Sequence, residues 1–463
     1  MSAPAQATCG PATDLRELVE TECDRFGVPG AAVTVVADGD VVLADGFGRR
    51  NDDDPVTPGT LFMLASDTKC MAAASLCLLV EDGLLDLDAP VRDHLPWFEM
   101  HDEAVSGQVT TRDLLAHRTG LPRHDLLTIG DGGFALSNED IARRMRHLEA
   151  SRPFRQGFGY NNAHYATAGH VAEAITEKPW RQLLAERILE PLGMTGSSTY
   201  SPALTRGDFA APYASGNRLP FQTRDYDLPS GGVVSNAQDV ARWLLARLGR
   251  GPLSPELLEM LHAPAVASGN ALPFPELETR GYALGNLALT YRGHRLHMHG
   301  GSQLGFSSQV VVLPDAGVGV SVLTNAFGSM LPLALGLALV DQVLELPEIP
   351  WGARLFAPPQ EPPPPGPPGR RARAVSECVG TFHHPAYGDI SFSEHGEGLA
   401  VAFHGLDGQL VLTHLDEDDW QLSSVTVPAF RFPVTFRTGP GGRVTDVAMG
   451  LEPELPPLVF QRR

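Results

Sequence analysis

Leu61-Phe-Met-Leu-Ala-Ser66-Asp-Thr-Lys69-Cys-Met-Ala-Ala-Ala-Ser-Leu-Cys-Leu-Leu-Val80 decides how the rest of the chain is read. The apolar run Leu61 to Ala65 leads straight into Ser66, and the Ala-, Leu-, Met- and Cys-rich residues that follow meet neither Gly nor Pro until Gly83. A segment apolar on every side predicts a buried helix. Ser66 and Lys69 stand three apart, so at the head of that helix their side chains share one face. Ser-Asp-Thr is also what an ordinary helix start looks like, with Ser66 as the N-cap. The lysine count weighs against that plainer reading. Of the chain's 35 basic residues, Lys69 and Lys178 are the only lysines and the rest are arginine. A sequence so biased keeps a Lys where Arg cannot serve, because a buried Lys can lose its proton and Arg cannot. Lys69 is therefore a candidate general base for Ser66.

With 463 residues, 43% hydrophobic and 19% charged, the chain has the composition of a globular protein of two domains or more. No apolar run approaches the roughly 18 residues of a membrane span. Met1-Ser-Ala-Pro-Ala-Gln-Ala-Thr-Cys9 lacks the basic start and apolar core of a secretory signal, which predicts a cytoplasmic protein. A formal charge of -20 argues against a nucleic-acid partner and leaves a small, neutral or acyl-type substrate as the better fit. The five cysteines, Cys9, Cys23, Cys70, Cys77 and Cys378, are scattered, with no C-x-x-C and no His at zinc spacing. Neither a disulfide framework, nor a metal, nor a cofactor is expected. Abundant Arg, Ala, Gly and Pro beside so little Lys points to a GC-rich genome.

Outward from the Ser66 helix, residues 13 to 26 carry a helical spacing, and Ala31 to Val36 and Val41 to Ala44 flank Ala-Asp-Gly-Asp as a hairpin. A helix, a hairpin and then a buried helix predict an α/β (α+β) domain built on an antiparallel sheet. Further helices are expected from a Thr110 cap, over residues 138 to 150 with Asn138 as cap, over Ala163 to Thr176, and over Asn236 to Leu248. Residues 265 to 280 read as loop, 281 to 299 as strands joined at Tyr291-Arg-Gly-His294, Val318 to Asn325 as a strand and Leu331 to Leu344 as a helix. At Ala357-Pro-Pro-Gln-Glu-Pro-Pro-Pro-Pro-Gly-Pro-Pro-Gly369 the composition breaks into a stiff, extended spacer. Short alternating runs behind it predict a small all-β domain, a barrel of about eight strands. The domains are thus expected at 10–350, with a Pro-rich linker over 351–372 and the barrel over 373–463.

Two more stretches bear on chemistry. Tyr160-Asn161-Asn162 delivers polar side chains from a Gly- and aromatic-rich loop to a helix start, and His299-Gly300-Gly301-Ser302 ends a strand where a backbone or substrate can come close. Taken singly, Tyr160 reads as a half-buried tyrosine with a backbone partner, and His299 as a satisfied structural histidine. Their order is more telling than either. Ser66-x-x-Lys69, then Tyr160-x-Asn162, then His299-x-Gly301 resembles the three signature elements of the serine β-lactamase and penicillin-binding protein superfamily, closest to its class C, esterase-like branch. The likeness spans about residues 10 to 350 and includes Leu114-Leu-Ala-His-Arg-Thr-Gly-Leu-Pro122, Pro191-Leu-Gly-Met194 and Ser230-Gly-Gly-Val-Val-Ser235.

The resemblance implies that Ser66 is the nucleophile, Lys69 its base, Tyr160 the second proton carrier, Asn162 a hydrogen bonder to the substrate amide and His299 the polar end of the strand. It also implies that Gly300, Gly301 and Ser302 bind substrate, with the Ser66 and Ser302 backbone N–H groups forming the oxyanion hole. Removing one such donor typically costs about 2.7–4 kcal/mol. His299 stands where true β-lactamases and transpeptidases carry Lys, so efficient penicillin hydrolysis is not expected. No class A deacylating Glu motif is present.

The acyl-enzyme chemistry leaves the acceptor open. The chain resembles the penicillin-binding-protein-type thioesterases of nonribosomal peptide pathways, which pair this catalytic domain with a C-terminal lipocalin-like domain. That likeness implies a stand-alone enzyme that releases and macrocyclises a peptide presented on a carrier protein. The alternative is a cytoplasmic serine hydrolase: an esterase, a D-aminopeptidase or a D-amino-acid amidase.

Overall fold

The structure, a computed structural model, describes residues 12–128, 136–269, 272–357, 369–396, 398–403, 410–424 and 431–463. The first hairpin, β1 (Gly30–Ala37) and β2 (Asp40–Gly48), turns at Asp38 and Gly39, both at positive φ (53° and 92°), the tight turn whose twist matches its strands. It extends a seven-stranded sheet with β3 (Leu277–Tyr282), β4 (Leu287–Tyr291), β5 (His294–Gln303), β6 (Phe306–Leu313) and β7 (Val318–Thr324). The spatial order is β2-β1-β7-β6-β5-β4-β3, antiparallel throughout. The antiparallel α/β domain read from the sequence is thus the fold observed.

Both faces of this sheet are covered, which is why every residue of β1, β6 and β7 is buried. Val33 and Val35 point to one core, shared with Leu15 and Val19 of α1 (Ala12–Phe26). Ala32 and Val36 point to the other, which holds α2 (Thr68–Glu81). Eleven of the fourteen residues of α2 are buried, so the helix shows no polar stripe and is a central strut of the domain. Around it lie α3 (Asn162–Thr176) and α4 (Ala237–Arg247), capped by Asn161 and Asn236, while α5 (Leu331–Val343) covers the far face of the sheet beside α1.

Several local expectations differ from the structure. The helix after position 137 is capped by Ser137, whose hydroxyl accepts from the Asp140 amide at 3.0 Å, and it gives way to a 3₁₀ turn at Met145. Part of 265–280, read as loop, pairs as β3 at the sheet edge. Trp351–Leu355 is a helix with Trp351 buried and its Nε1 donating to Asp341 at 3.0 Å, so residue 351 still packs on the first domain. Of the stiff spacer expected over 357–369, residues 358–368 lie outside the described ones.

From Gly380–His384 to Leu458–Arg462, eight antiparallel strands close a barrel, the first pairing with the last at Phe382 and Arg462. Aromatic rings fill its interior: Phe382, Phe392 and Phe436 stand 5.1–6.1 Å apart, with Trp420 edge-on to Phe436. The barrel docks on the first domain through a polar seam. His124 shares a 2.8 Å hydrogen bond with Tyr387, Arg144 donates to the Ala386 carbonyl at 2.7 Å, and Ser151 and Arg152 both reach Glu454. No helix among the described residues is long and apolar enough to cross a membrane.

Candidate active site

Ser66 sits in a 3₁₀ turn, Ala65–Asp67, that leads into α2. Ala65 takes a left-handed φ of 46°, a conformation that costs a non-glycine residue about 1 kcal/mol or more. The turn is held from both sides. Phe62 and Met63 pair with Ser235 and Val234, and the Leu64 amide donates to the Val233 carbonyl at 2.9 Å. The sharp bend takes Ser66 off the capping role open to it in the sequence, since α2 has no side-chain cap bond. Its hydroxyl meets two other side chains instead.

Lys69 Nζ lies 3.0 Å from Ser66 Oγ, 2.8 Å from Asn162 Oδ1 and 2.6 Å from the Ser230 carbonyl. Tyr160 donates its phenolic proton to Ser66 Oγ at 2.8 Å. A neutral amine has two protons and one lone pair, and three partners match that count. Asn162 and Ser230 take the two N–H bonds, which leaves the lone pair facing the Ser66 proton. Lys69 is fully buried, and burial, with Arg123 adding to it, holds its ammonium well below the usual lysine range against the opposing pull of Asp125 and of any ionised Asp67. Burial pushes the Tyr160 phenol the other way, well above its ordinary value, so at neutral pH it carries its proton.

His299 reaches the same cavity on β5. Burial first, then Lys69, push its imidazole down to about 3, and its Nδ1 lies 2.8 Å from the Gly300 carbonyl, to which it donates. The ring is therefore neutral at physiological pH. Gly301 has a steric reason. A Cβ there would come within 2.3 Å of the Leu64 carbonyl and 2.2 Å of Ser308 Oγ, so only glycine lets β5 run against the Ser66 turn. That contact sets Ser302 on the rim beside Ser66, and both line one cavity of about 450 Å³ with Tyr160, Asn162, His299 and Gly300.

Other residues of this cavity were not singled out in the sequence. Arg123 lies with its guanidinium 4.8 Å from the centre of the Tyr160 ring and its Nε 2.7 Å from Asp125. Behind the cavity wall, buried His117 packs its ring 4.6 Å from that of Tyr160 and accepts from the Asn161 amide at 3.2 Å, fixing the loop that presents Tyr160 and Asn162. Leu410, Ser424 and Phe432 come from the barrel. Nothing local marks Arg123 or the barrel residues; a cation over a ring and a wall from another domain exist only in three dimensions.

Comparison with known proteins places this geometry. The family described as beta-lactamase matches residues 15–345, and a domain of unknown function, DUF3471, matches residues 364–462. An unguisins hydrolase (ungD') of Aspergillus campestris is 29% identical over 96% of this chain and 90% of its own length. The octameric penicillin-binding protein homologue of Pyrococcus abyssi is similar in structure over 98% of this chain and 100% of that one, with a TM-score of 0.66 at 22% identity. The D-amino acid amidase of Ochrobactrum anthropi covers 72% of this chain and 98% of its own, with a TM-score of 0.58 at 26% identity. With a family match over most of its length, a sheet and helix arrangement shared with these structures, and Ser66 within hydrogen-bond reach of both Lys69 and Tyr160, the chain belongs to the beta-lactamase family of serine acyl-transfer enzymes and hydrolases.

Proposed function

We propose that the protein takes the acyl group of a peptidyl donor onto Ser66 and releases it as a macrocycle, acting on a carrier-bound thioester in the cytoplasm. The observation that carries the acyl-enzyme step is Ser66 Oγ between a neutral Lys69 amine at 3.0 Å and a protonated Tyr160 at 2.8 Å. Ser66 Oγ attacks the carbonyl carbon as its proton passes to Lys69 Nζ. The developing oxyanion is met by the Ser66 and Ser302 amides. Collapse breaks the bond to the leaving group, which takes the Tyr160 proton, and the Lys69 ammonium restores it. Lys69 ends neutral, Tyr160 protonated and Ser66 acylated, so the protons balance.

Support for an amine acceptor comes from the cavity wall. Leu410 and Phe432 of the barrel face the same space as Leu126, Tyr282 and Leu287, an apolar enclosure suited to holding a peptide folded back while keeping water from the ester. A peptidyl thioester is the test: product analysis by mass spectrometry is expected to show ring, and Leu410→Asp with Phe432→Asp to shift the ratio to linear acid. Linear acid as the sole wild-type product refutes cyclisation. Loss of the acyl-Ser66 adduct is expected in Ser66→Ala, and turnover retained by that variant removes the acyl-enzyme itself.

A second reading, hydrolysis of a peptide ester or amide, is favoured by one observation. The fungal relative named as a hydrolase is similar to this chain across both domains, not the first alone.

A further inference from the structure

Ser308, on β6, has one hydroxyl proton and two oxygen neighbours. Its Oγ lies 2.8 Å from the Leu64 carbonyl oxygen and 2.6 Å from Oδ2 of Asp67, and all three residues are buried. The carbonyl has no proton to give. Were Asp67 ionised, one of these two contacts would set oxygen against oxygen with no hydrogen between them. A protonated Asp67 resolves the count: the acid donates to Ser308 Oγ, and the Ser308 hydroxyl donates to the Leu64 carbonyl. The other carboxyl oxygen agrees. Asp67 Oδ1 is buried without a hydrogen-bond partner among the described residues, which is far less costly for the carbonyl of a neutral acid than for half a carboxylate.

We propose that Asp67 is held as a neutral acid, a positioning residue that ties the Ser66 turn to β6 through Ser308 while leaving Lys69 without an adjacent negative charge. The chain Asp67, Ser308, Leu64 sits against Gly301, where a Cβ would collide with both Ser308 Oγ and the Leu64 carbonyl; the glycine makes room for it. Burial pushes the Asp67 carboxyl up to about 7, although a bond from Ser308, a charge on Arg247 of α4 or on Lys69 of α2, and the Val310 amide would each favour its ionised form. Neither basic side chain pairs with it: Lys69 is engaged by Ser66, Asn162 and Ser230, and Arg247 donates to Asn286 at 3.2 Å. An ionised Asp67 next to the nucleophile would favour the ammonium form of Lys69 and so weaken it as a base. Below about pH 7, neutral Asp67 keeps the lone pair available.

The inference rests on Lys69 as the base for its consequence, but not for the protonation state, so two measurements separate them. Infrared difference spectra of the wild-type protein against Asp67→Asn, at about pH 6, are expected to show a protonated-carboxyl carbonyl band. A carboxylate pair in its place overturns the proposal whatever the activity does. The second reading is kcat/KM against pH with a p-nitrophenyl ester. Asp67→Asn supplies an amide N–H to Ser308 and is likewise uncharged, so the acid limb set by Lys69 is expected to superimpose on the wild type. A limb moved to lower pH by about 1 unit or more overturns it, because that is the effect of taking a negative charge from beside Lys69. Ser308→Ala removes the relay and is expected to lower the acylation rate with the limb unmoved; an unchanged rate excludes a positioning role.

Discussion

Replacing Lys69 by Arg separates a base from a charge. Lys69 Nζ has three oxygen partners at 2.6–3.0 Å, and the neutral amine satisfies two as donor and Ser66 as acceptor. A guanidinium keeps the positive charge and can still donate to Asn162 and Ser230, but it has no lone pair to take the Ser66 proton. Tyr160 offers no substitute, since burial raises its phenol above its ordinary value and leaves well under about 1 in 10³ of it as phenolate at neutral pH. Acylation is therefore expected to fall by about 10²–10⁴-fold, the range general-base catalysis supplies. At 1.36 kcal/mol per decade, that is about 3–5 kcal/mol of transition-state stabilisation. Stopped-flow release of p-nitrophenol from an activated ester reads the rate, and the mass of the acylated protein reads the adduct on Ser66. Lys69→Met, uncharged and unbranched, controls for the bulk of Arg in a fully buried site and is expected to lose as much. An Arg variant that acylates within about threefold of wild type refutes the base assignment. Lys69 would then act as a fixed charge, and Tyr160 would have to take the proton.

Three further outcomes follow from the same geometry. Because the Lys69 pKa is lowered in the folded protein, the native state binds fewer protons than the unfolded one between that lowered value and 10.5, so stability rises with pH across this window. Lys69→Met lacks this dependence, and denaturant titrations are expected to show its stability relative to wild type improving as pH falls from about 10 towards neutral; a constant difference would mean an unshifted lysine. Gly301→Ala forces a methyl group against the Leu64 carbonyl and Ser308, and a displacement of the Ser66 turn by about 1 Å is expected to cost about 10²-fold in kcat, with unaltered kinetics showing that β5 yields freely. His299, pushed down to about 3, is expected to show no imidazole titration by NMR between about pH 5 and 8, and a midpoint near 6.5 would place the ring in solvent.

The sequence exposed most clearly those parts whose causes are local. Ser66 and Lys69 share one helix turn, and a helix buried all round needs no partner to be recognised. Val33 and Val35 belong to a strand covered on both faces, so an apolar run marks it as well as alternation would. Tyr160, Asn162 and His299 were legible only together, through the order of three motifs, because each alone has an ordinary structural explanation. β3 was hidden by its edge position: Glu278 and Arg280 are exposed, and the pairing register skips Arg280. Trp351 was misplaced because prolines flank it, although its indole is tied to Asp341. Arg123 and Phe432 carried no signal at all, since their proximity to Tyr160 depends on contacts across tens to hundreds of residues.

The segment Pro122-Arg123-His124-Asp125 joins these distant parts. The Pro122 carbonyl accepts from Asn161 Nδ2 at 2.7 Å, which ties it to the loop that carries Tyr160. Arg123 lies over the Tyr160 ring and is steadied by Asp125. His124 takes a left-handed φ of 47°, so its side chain leaves the backbone away from the cavity and enters the seam, where it bonds Tyr387 of the barrel. A left-handed histidine is strained, and such strain persists where surrounding contacts fix it. Here they fix it from two domains. The residues that bound the phenol on one side therefore anchor the barrel on the other, and the barrel in turn lends Leu410 and Phe432 to the cavity wall. A shift of the barrel along this seam cannot leave the surroundings of Ser66 unchanged, because the two are joined through three consecutive residues at one end and share a wall at the other.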